Sequence, residues 1–472
     1  MTPSAVALSM ILAIVVLGSA LGFYAGARYK MDLEQWTVAG RGFGLLFVWL
    51  LMAGEVYTTF SLLGASGWAY SQGGPALYIL AYMMLLFVVS FYIIPPIWGI
   101  ARQHSLQTQA DFFQQRYNSK SLAVAVALVG VVFMIPSLQL QITGLGMIVE
   151  MASFNGIGRT PAMLIAFVLV ACFVFMSGVR AVAWISVLKD LLLLFVVVTV
   201  GIAVPKIYFD GVRPMFSALL RASPSHLTMP GSTVNHDHAW FISTVLLTSL
   251  GGYMWPHTMG SSFTARSDDT LRRNAVIMPL YGITLPLIFL VGFSSILIVP
   301  GLKNGDLSLL TVVRKTFSPL FLGIVGGAGA LTAMVPAALQ ILTAATLLAK
   351  NVYRPLCAPH MTDQQVGRMS RIMVLVISAT ALYFAIYSST TLVALLLIGY
   401  AGVTQLFPGI VLGLFSRRVS STTILGGLGV GVATVAALIL GKHDPFFGIN
   451  AGFVALCLNF LTVGLLNLTK IS

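Results

Sequence analysis

Residues 43–70 read FGLLFVWLLMAGEVYTTFSLLGASGWAY, a stretch long and apolar enough to cross a bilayer, which takes roughly 20 residues. A carboxylate, Glu55, falls near its middle beside Gly54, and Tyr57, Thr58 and Thr59 follow. A charge at that depth costs at least about 2.5 kcal/mol on insertion scales, so Glu55 is expected to face a cavity or a partner. Glycine beside it lets the helix open, and a membrane tolerates opened backbone only around a wet or liganded site. The stretch therefore predicts a broken helix that binds something. The competing reading, an exposed interfacial carboxylate, sits poorly with about twelve apolar or glycine residues ahead of it.

Composition sets the class. Over 472 residues the chain is 58% hydrophobic and 8% charged, with mean hydropathy +0.95. That profile belongs to an all-α, polytopic membrane protein embedded in the lipid bilayer. The net charge of +13 raises the question of nucleic acid, but no basic cluster is interleaved with aromatics, so no nucleic-acid partner is expected. Loops held on the cytoplasmic side explain the charge. Cys172, Cys357 and Cys457 have no paired or ligand-like spacing, and His236-x-His238 offers two ligands only, so neither a metal site nor a cofactor is expected. The first apolar stretch, 6–25, has no basic region ahead of it and reads as a retained span with its N-terminus outside.

Thirteen spans fit the hydropathy: 5–27, 43–65, 75–100, 121–150, 160–178, 182–205, 239–263, 276–300, 320–349, 371–389, 391–416, 420–441 and 447–468. Of the 26 Lys and Arg, 17 fall in inward loops and eight in outward ones if the N-terminus lies outside, among the former Arg28, Lys30, Arg417 and Lys470. Lys189 alone falls within a span. The bias predicts N-out, C-in in the cell (inner) membrane. The long outer loop, 207–238, holds Pro, Ser, His and Gly and is expected to carry short helices.

The seventh span, AWFISTVLLTSLGGYMWPHTMGSSF, is also interrupted, by Gly251-Gly252 and Pro256. It lies five spans after the first broken one. Two interrupted helices at matching places in two five-span halves predict an inverted repeat with a binding site where the breaks meet. Each break alone is equally explained by helix packing, since Gly and Pro are frequent in such helices.

Particular segments carry a family likeness. GGYMWPHTMGSSFTARSDDTLRRNAV resembles the Pro-His signature and following basic loop of the sodium/solute symporter family. SGVRAVAWISVLKD resembles its Gly-Ala-Val-Trp segment, TAATLLAKNVYRP the end of its ninth span and FPGIVLGLFSRR the end of its eleventh. The resemblance implies a five-plus-five inverted-repeat fold: residues 1–42 as an extra span and inner loop, 43–206 and 239–418 as the two repeats around loop 207–238, and 419–472 as two further spans. Within the family, the second span is most similar to that of monocarboxylate-type members.

The departures bear on coupling. In typical sodium-coupled members, carbonyls of the second span and two hydroxyls of the ninth hold the cation. By resemblance the carbonyl positions are Ala53 and Val56, while the hydroxyl positions hold Val335 and Pro336, which offer no side-chain oxygen to a hard cation. Thr332 is near but not at the matching place. The family's acidic position in the sixth span falls on Ser186, three residues before Lys189. In proton-coupled carriers of the wider fold, a lysine on the equivalent helix places its ammonium where sodium would sit. Burial disfavours a charged amine, so such a lysine can load and release a proton. Asp190 and Glu55 are its possible counter-charges. The bland alternative has Lys189 snorkelling to the cytoplasmic interface.

The expected substrate contacts are Gly54, Glu55, Tyr57, Thr58 and Thr59 on the second span, Gln141 on the fourth, Tyr253, Trp255 and His257 on the seventh, and Gln405 on the eleventh. The expected coupling group is Lys189, Glu55, Asp190, Ala53, Val56 and Thr332. Freed half-helix amides suit a carboxylate and freed carbonyls suit a cation. Against this stand helix packing for the threonines, a structural hydrogen bond for His257 and interhelical bonds for Gln139, Gln141 and Gln405.

Taken together, the sequence predicts a secondary symporter bringing in a small organic anion, a short monocarboxylate, with a proton. The alternatives are a sodium-coupled symporter of an amino acid, vitamin or sugar, and a transporter-like sensor. A sensor is expected to carry an output domain, and Ser472 follows directly on the last span. An enzyme is not expected, since the spans hold no nucleophile-base pair, metal cluster or nucleotide-binding motif.

Overall fold

The computed structural model describes residues 1–26, 33–176, 178–233, 235–416 and 418–468. Arg28, Lys30, Arg417 and Lys470, four of the basic residues behind the expected orientation, lie outside them. The described chain is helical throughout, with isolated bridges at Phe43–Ala265 and Phe446–Ile449 in place of any strand.

Helix α1 (Pro3–Gly26) is followed by the short α2 (Leu33–Val38). The Glu55 stretch forms α3 (Leu45–Val56) and, after a π-helical turn at Phe60–Gly64, α4 (Ala65–Ser71). The two halves are bent by 54°. Next come α5 (Tyr78–Gln103), the short α6 (Gln109–Tyr117), α7 (Lys120–Ala152), α8 (Arg159–Met176) and α9 (Val179–Phe209). The loop beyond α9 holds α10 (Val212–Ala222) and a 3-10 turn at Pro224–Leu227.

The seventh apolar segment stops as α11 (His238–Gly251) and resumes as α12 (Pro256–Ser262). Then α13 (Asp268–Tyr281) and α14 (Thr284–Ile298) share one span, and α15 (Ser308–Thr316) packs on α14 and α4. A long helix, α16 (Pro319–Thr346), passes through a π-helical stretch into α17 (Arg354–Cys357). The chain closes with α18 (Asp363–Tyr387), α19 (Leu392–Val403), α20 (Phe407–Phe415), α21 (Ser421–Leu440) and α22 (Ala451–Leu468). Ten helices among the described residues are long and apolar enough to cross a membrane, or eleven with the bent α3–α4 pair. Two apolar segments, Arg159–Val174 and His238–Gly251, are shorter.

Capping moves two boundaries from where hydropathy puts them. The eighth span begins at Asp268 rather than 276. Ser267 accepts from the Thr270 amide, and Asp268 and Asp269 sit at the positive end of the helix dipole. Likewise α18 begins at Asp363 rather than 371, because Thr362 and Gln365 form a reciprocal capping box. Both extensions are polar turns, invisible to a hydropathy window.

The core sits where α3, α7, α9, α12 and α16 meet. Helix α1 lies along α16 and α9, while α21 and α22 pair with each other and reach the bundle through α7 and α19.

A buried acid ties one end of α4 down. A Cβ on Gly67 would lie 2.7 Å from Asp306 Cα, so only glycine lets the loop before α15 approach this closely. Asp306 Oδ2 accepts from the Leu392 amide at 3.0 Å, at the start of α19. Burial, only partly offset by that bond, pushes the Asp306 carboxyl up from 3.8 to about 6. Between those values the folded chain binds more protons than the unfolded one, so stability is expected to fall as pH rises from 3.8 to about 6 and to level off above. Melting temperatures of the detergent-solubilised protein across that range should show the slope, and Asp306→Asn should flatten it.

Candidate functional site

Both interruptions have local causes. At the end of α3, Tyr57 leaves helical geometry (φ −96°, ψ 84°) with its amide still bonded to the Ala53 carbonyl. Before α12, Trp255 is extended (φ −60°, ψ 123°) and Pro256 takes the first helical position, where its missing N–H costs nothing. The breaks face each other through Glu55 and Ser261: the Ser261 hydroxyl donates to Glu55 Oε1.

Between them lies a cavity of about 40 Å³. Its wall takes Glu55, Val56 and Thr58 from the first break, and Gly252, Trp255, His257 and Thr258 from the second. Phe60 of the π-helical turn after the first break, Tyr82 and Leu86 of α5, Ser137 and Gln141 of α7, Gln340 of α16, and Leu396 and Tyr400 of α19 complete it. Glu55 is buried, and its second oxygen, Oε2, has no partner. His257 Nδ1 and Gln340 Oε1 are likewise buried and unpaired. Gln340 Nε2 donates to Ser137 Oγ at 3.0 Å and lies 3.5 Å from His257 Nε2. Unspent donors and acceptors converging on one cavity are what a small polar ligand needs for orientation.

Next to the first break is a second cluster. Lys189, fully buried, lies 2.7 Å from Asp190 Oδ1 and donates to the Tyr57 carbonyl at 3.3 Å. Tyr281 of α13 donates to Asp190 Oδ1 at 2.9 Å, and its ring packs 4.3 Å from that of Tyr57. A buried ion pair needs close geometry and further hydrogen bonds; here both contacts go to Asp190 Oδ1, and Oδ2 is buried without a partner. Snorkelling is thus corrected: the ammonium turns inward to the carbonyl freed by the helix break. Its ion-pair partner is Asp190, not Glu55. One turn earlier, Gly54 permits close contact of α3 with α9 and α16: a Cβ there would lie 2.9 Å from Ser186 Oγ and 3.0 Å from Val335 Cγ1.

The other expected residues divide. Gly54, Ala53 and Tyr57 belong to the lysine side of α3 and not to the cavity wall. The Ala53 carbonyl accepts from the Tyr57 amide, and the Val56 carbonyl accepts from Ser61 Oγ at 3.2 Å. Thr59 lies behind the wall and donates to Gln141 Oε1 at 2.6 Å, orienting that amide. Tyr253 points at Met52 Sδ, 3.9 Å away. Thr332 bonds back to the Ala328 carbonyl of its own helix. Gln405 is displaced furthest. It donates to the Ala401 and Gly452 carbonyls and receives Asn459 of α22, so it fastens the last helix rather than lining the site.

The wall residues Tyr82, Ser137, Thr258, Gln340 and Tyr400, together with Ser261 and Tyr281, were not singled out from the sequence. Gln340 carried a usable signal, an amide four residues after Pro336 in an apolar span. The hydroxyls carried none, since serine and threonine are common wherever membrane helices touch.

Two interrupted helices meeting at a buried polar cavity within a bundle of apolar spans define a membrane transporter. Residues 36–431 match the sodium:solute symporter family. The chain belongs to that family, and is a multi-pass secondary symporter that moves a small solute with a coupling cation. It is 45% identical over 466 residues to the uncharacterized symporter YhjB of Bacillus subtilis (strain 168), covering 96% of this chain and 95% of the relative. A monocarboxylate transport permease protein of Rhizobium johnstonii (strain DSM 114642 / LMG 32736 / 3841) is 27% identical over 433 residues, covering 90% and 87%. Among solved structures, a substrate-bound, outward-open Na+-coupled sialic acid symporter superposes with a TM-score of 0.79 at 14% identity, covering 98% and 96%. Mhp1, a nucleobase-cation-symport-1 family transporter in a closed conformation with bromovinylhydantoin bound, gives 0.57 at 12%, covering 93% and 96%. At such identities these two speak for the fold alone.

Proposed function

We propose that this symporter imports a short monocarboxylate together with a proton, with the Lys189 ammonium standing where sodium rests in other members. The observation that carries the reading is the buried ammonium on the Tyr57 carbonyl, 2.7 Å from Asp190. A fixed cation at the break leaves no need for a bound metal ion, and Val335, packed toward Gly54, offers no oxygen to one. Lys189 is absent from the cavity wall, whereas Glu55 lines it with a free oxygen. Glu55 is therefore the group that takes the travelling proton.

Size and polarity favour a short acid. A cavity of about 40 Å³ holds on the order of three waters, given about 10–15 Å³ for each. Trp255, Thr258 and Gln141 on its wall carry donor groups. The name of the Rhizobium relative adds weight to a monocarboxylate. The wider plan is thirteen crossings, with the two five-helix repeats at 43–206 and 239–418 flanked by extra spans, the N-terminus outside and the C-terminus cytoplasmic. The distribution of Lys and Arg supports that orientation.

Uptake of labelled pyruvate and lactate into proteoliposomes, with proton and sodium gradients imposed separately, tests the reading. An inward proton gradient should drive accumulation with no sodium present, and a sodium gradient at equal pH should drive none. Uptake that follows sodium and ignores pH would overturn proton coupling in favour of the sodium-coupled alternative.

A further inference from the structure

Ser261 stands between two cavities. On one side its hydroxyl bonds Glu55, which lines the central site. On the other it lines a second cavity of about 10 Å³, room for about one water. Thr37, Gln107, Thr108, Thr343 and Thr346 share that lining. His257 borders both cavities.

Beyond the small cavity the polar chain continues toward the end of the bundle that carries α6. Gln107 Oε1 accepts from Lys350 at 2.9 Å, and Thr108 Oγ1 donates to Asn351 Oδ1 at 2.9 Å. Lys350 also bonds Asp111 at 2.8 Å. Asp111 and Lys350 then line an open groove of about 430 Å³. Along the otherwise apolar α16, this line of hydroxyl, amide and carboxylate groups, interrupted only at the small cavity, is a departure that needs a reason.

We propose that this line is the path by which the coupling proton leaves Glu55 for the cytoplasm, with Ser261 as its relay. The inference rests on the proton-coupled reading above. A serine hydroxyl donates once and accepts twice, so it can pass a proton on without net change. In the resting arrangement the Ser261 hydroxyl donates to Glu55 Oε1. For release it turns toward a water in the small cavity, and protonated Glu55 donates its O–H to Ser261 Oγ. The Ser261 proton passes to that water as the Glu55 proton arrives. One O–H bond forms and one breaks at Ser261, and the water hands the proton on toward Asp111. The titratable groups around Glu55 are His257 on α12, Tyr82 on α5 and Tyr400 on α19, on the same wall, and Tyr253 in the turn between α11 and α12, which feels the Glu55 charge. The Lys189–Asp190 pair contacts the same break at the Tyr57 carbonyl. Ser261 is the group in direct contact with the Glu55 carboxylate that also opens to the far cavity.

The test compares two modes of the full-length protein in proteoliposomes. Net uptake of labelled pyruvate under a proton gradient requires proton release on every cycle. Exchange of labelled for unlabelled pyruvate at equal pH does not. Ser261→Ala should lower the ratio of net uptake to exchange by at least about tenfold, below the full contribution of a positioned proton-transfer group, and Ser261→Thr should restore it. Thr343→Val, which strips a hydroxyl from the small cavity without touching Glu55, should lower the same ratio and serves if Ser261→Ala does not fold. Net uptake in D2O should slow while exchange does not. Ratios equal to wild type in both variants would overturn the relay alone. A wild-type protein indifferent to the proton gradient would overturn the proton-coupled reading and the relay with it.

Discussion

Lys189→Ala is expected to abolish proton-driven accumulation of the acid, leaving internal label no higher than external. The ammonium does two things at once: it neutralises Asp190 and holds the carbonyl that the broken helix leaves without a partner. Removing it leaves a carboxylate in the bundle with Tyr281 as its remaining donor, and breaking a buried pair costs about 3–5 kcal/mol. That cost falls on the α3–α9 contact beside the first break. Added sodium should not rescue the variant, because Val335 and Pro336 provide no side-chain oxygen for a hard cation that wants several oxygen ligands. Lys189→Ala/Asp190→Asn removes both charges and separates folding from coupling. It should recover thermal stability in detergent but not accumulation. Wild-type accumulation by either variant would show that the ammonium does not serve coupling.

The two breaks could be read from the chain because their signals are backbone chemistry: Gly54 beside a carboxylate, Gly251-Gly252 and Pro256 within an apolar run. Such residues act where they stand, so sequence position and structural consequence coincide. The sequence leaves the counter-charge of Lys189 open between Asp190 and Glu55, and only the structure places the ammonium 2.7 Å from Asp190. What the chain did not disclose depends on which helices lie side by side. Gln405 and Gln340 are equally buried amides in apolar spans. One closes on Asn459 of α22 and the other on Ser137 and His257, a difference set by helix rotation. Tyr253 missed the wall by one residue, because the turn between α11 and α12 sends Gly252 and Trp255 inward instead. Ser261 carried no signal at all until α3 and α12 were seen face to face.

Glu55→Gln is the sharpest test of what carries the proton. The substitution keeps shape, burial and an acceptor for Ser261, and it fixes the side chain in a neutral form. At about 4 Å, two like charges repel by about 4 kcal/mol at an effective dielectric constant of 20. An anionic acid therefore enters the cavity readily only when Glu55 is neutral, and wild-type loading should demand a proton. In Glu55→Gln that demand is gone. Exchange of the acid across the membrane should persist, while a proton gradient should no longer concentrate it. For one proton per acid, wild type should accumulate up to about tenfold per unit of pH difference, and the variant should stay at the ratio set by passive equilibration. Glu55→Ala, which also removes the hydrogen-bond partner of Ser261 and leaves a void between the breaks, should lose exchange as well. Gradient-driven accumulation that survives Glu55→Gln would move the travelling proton to another group. His257 would be the first to examine, since it borders the same cavity and keeps one ring nitrogen unpaired.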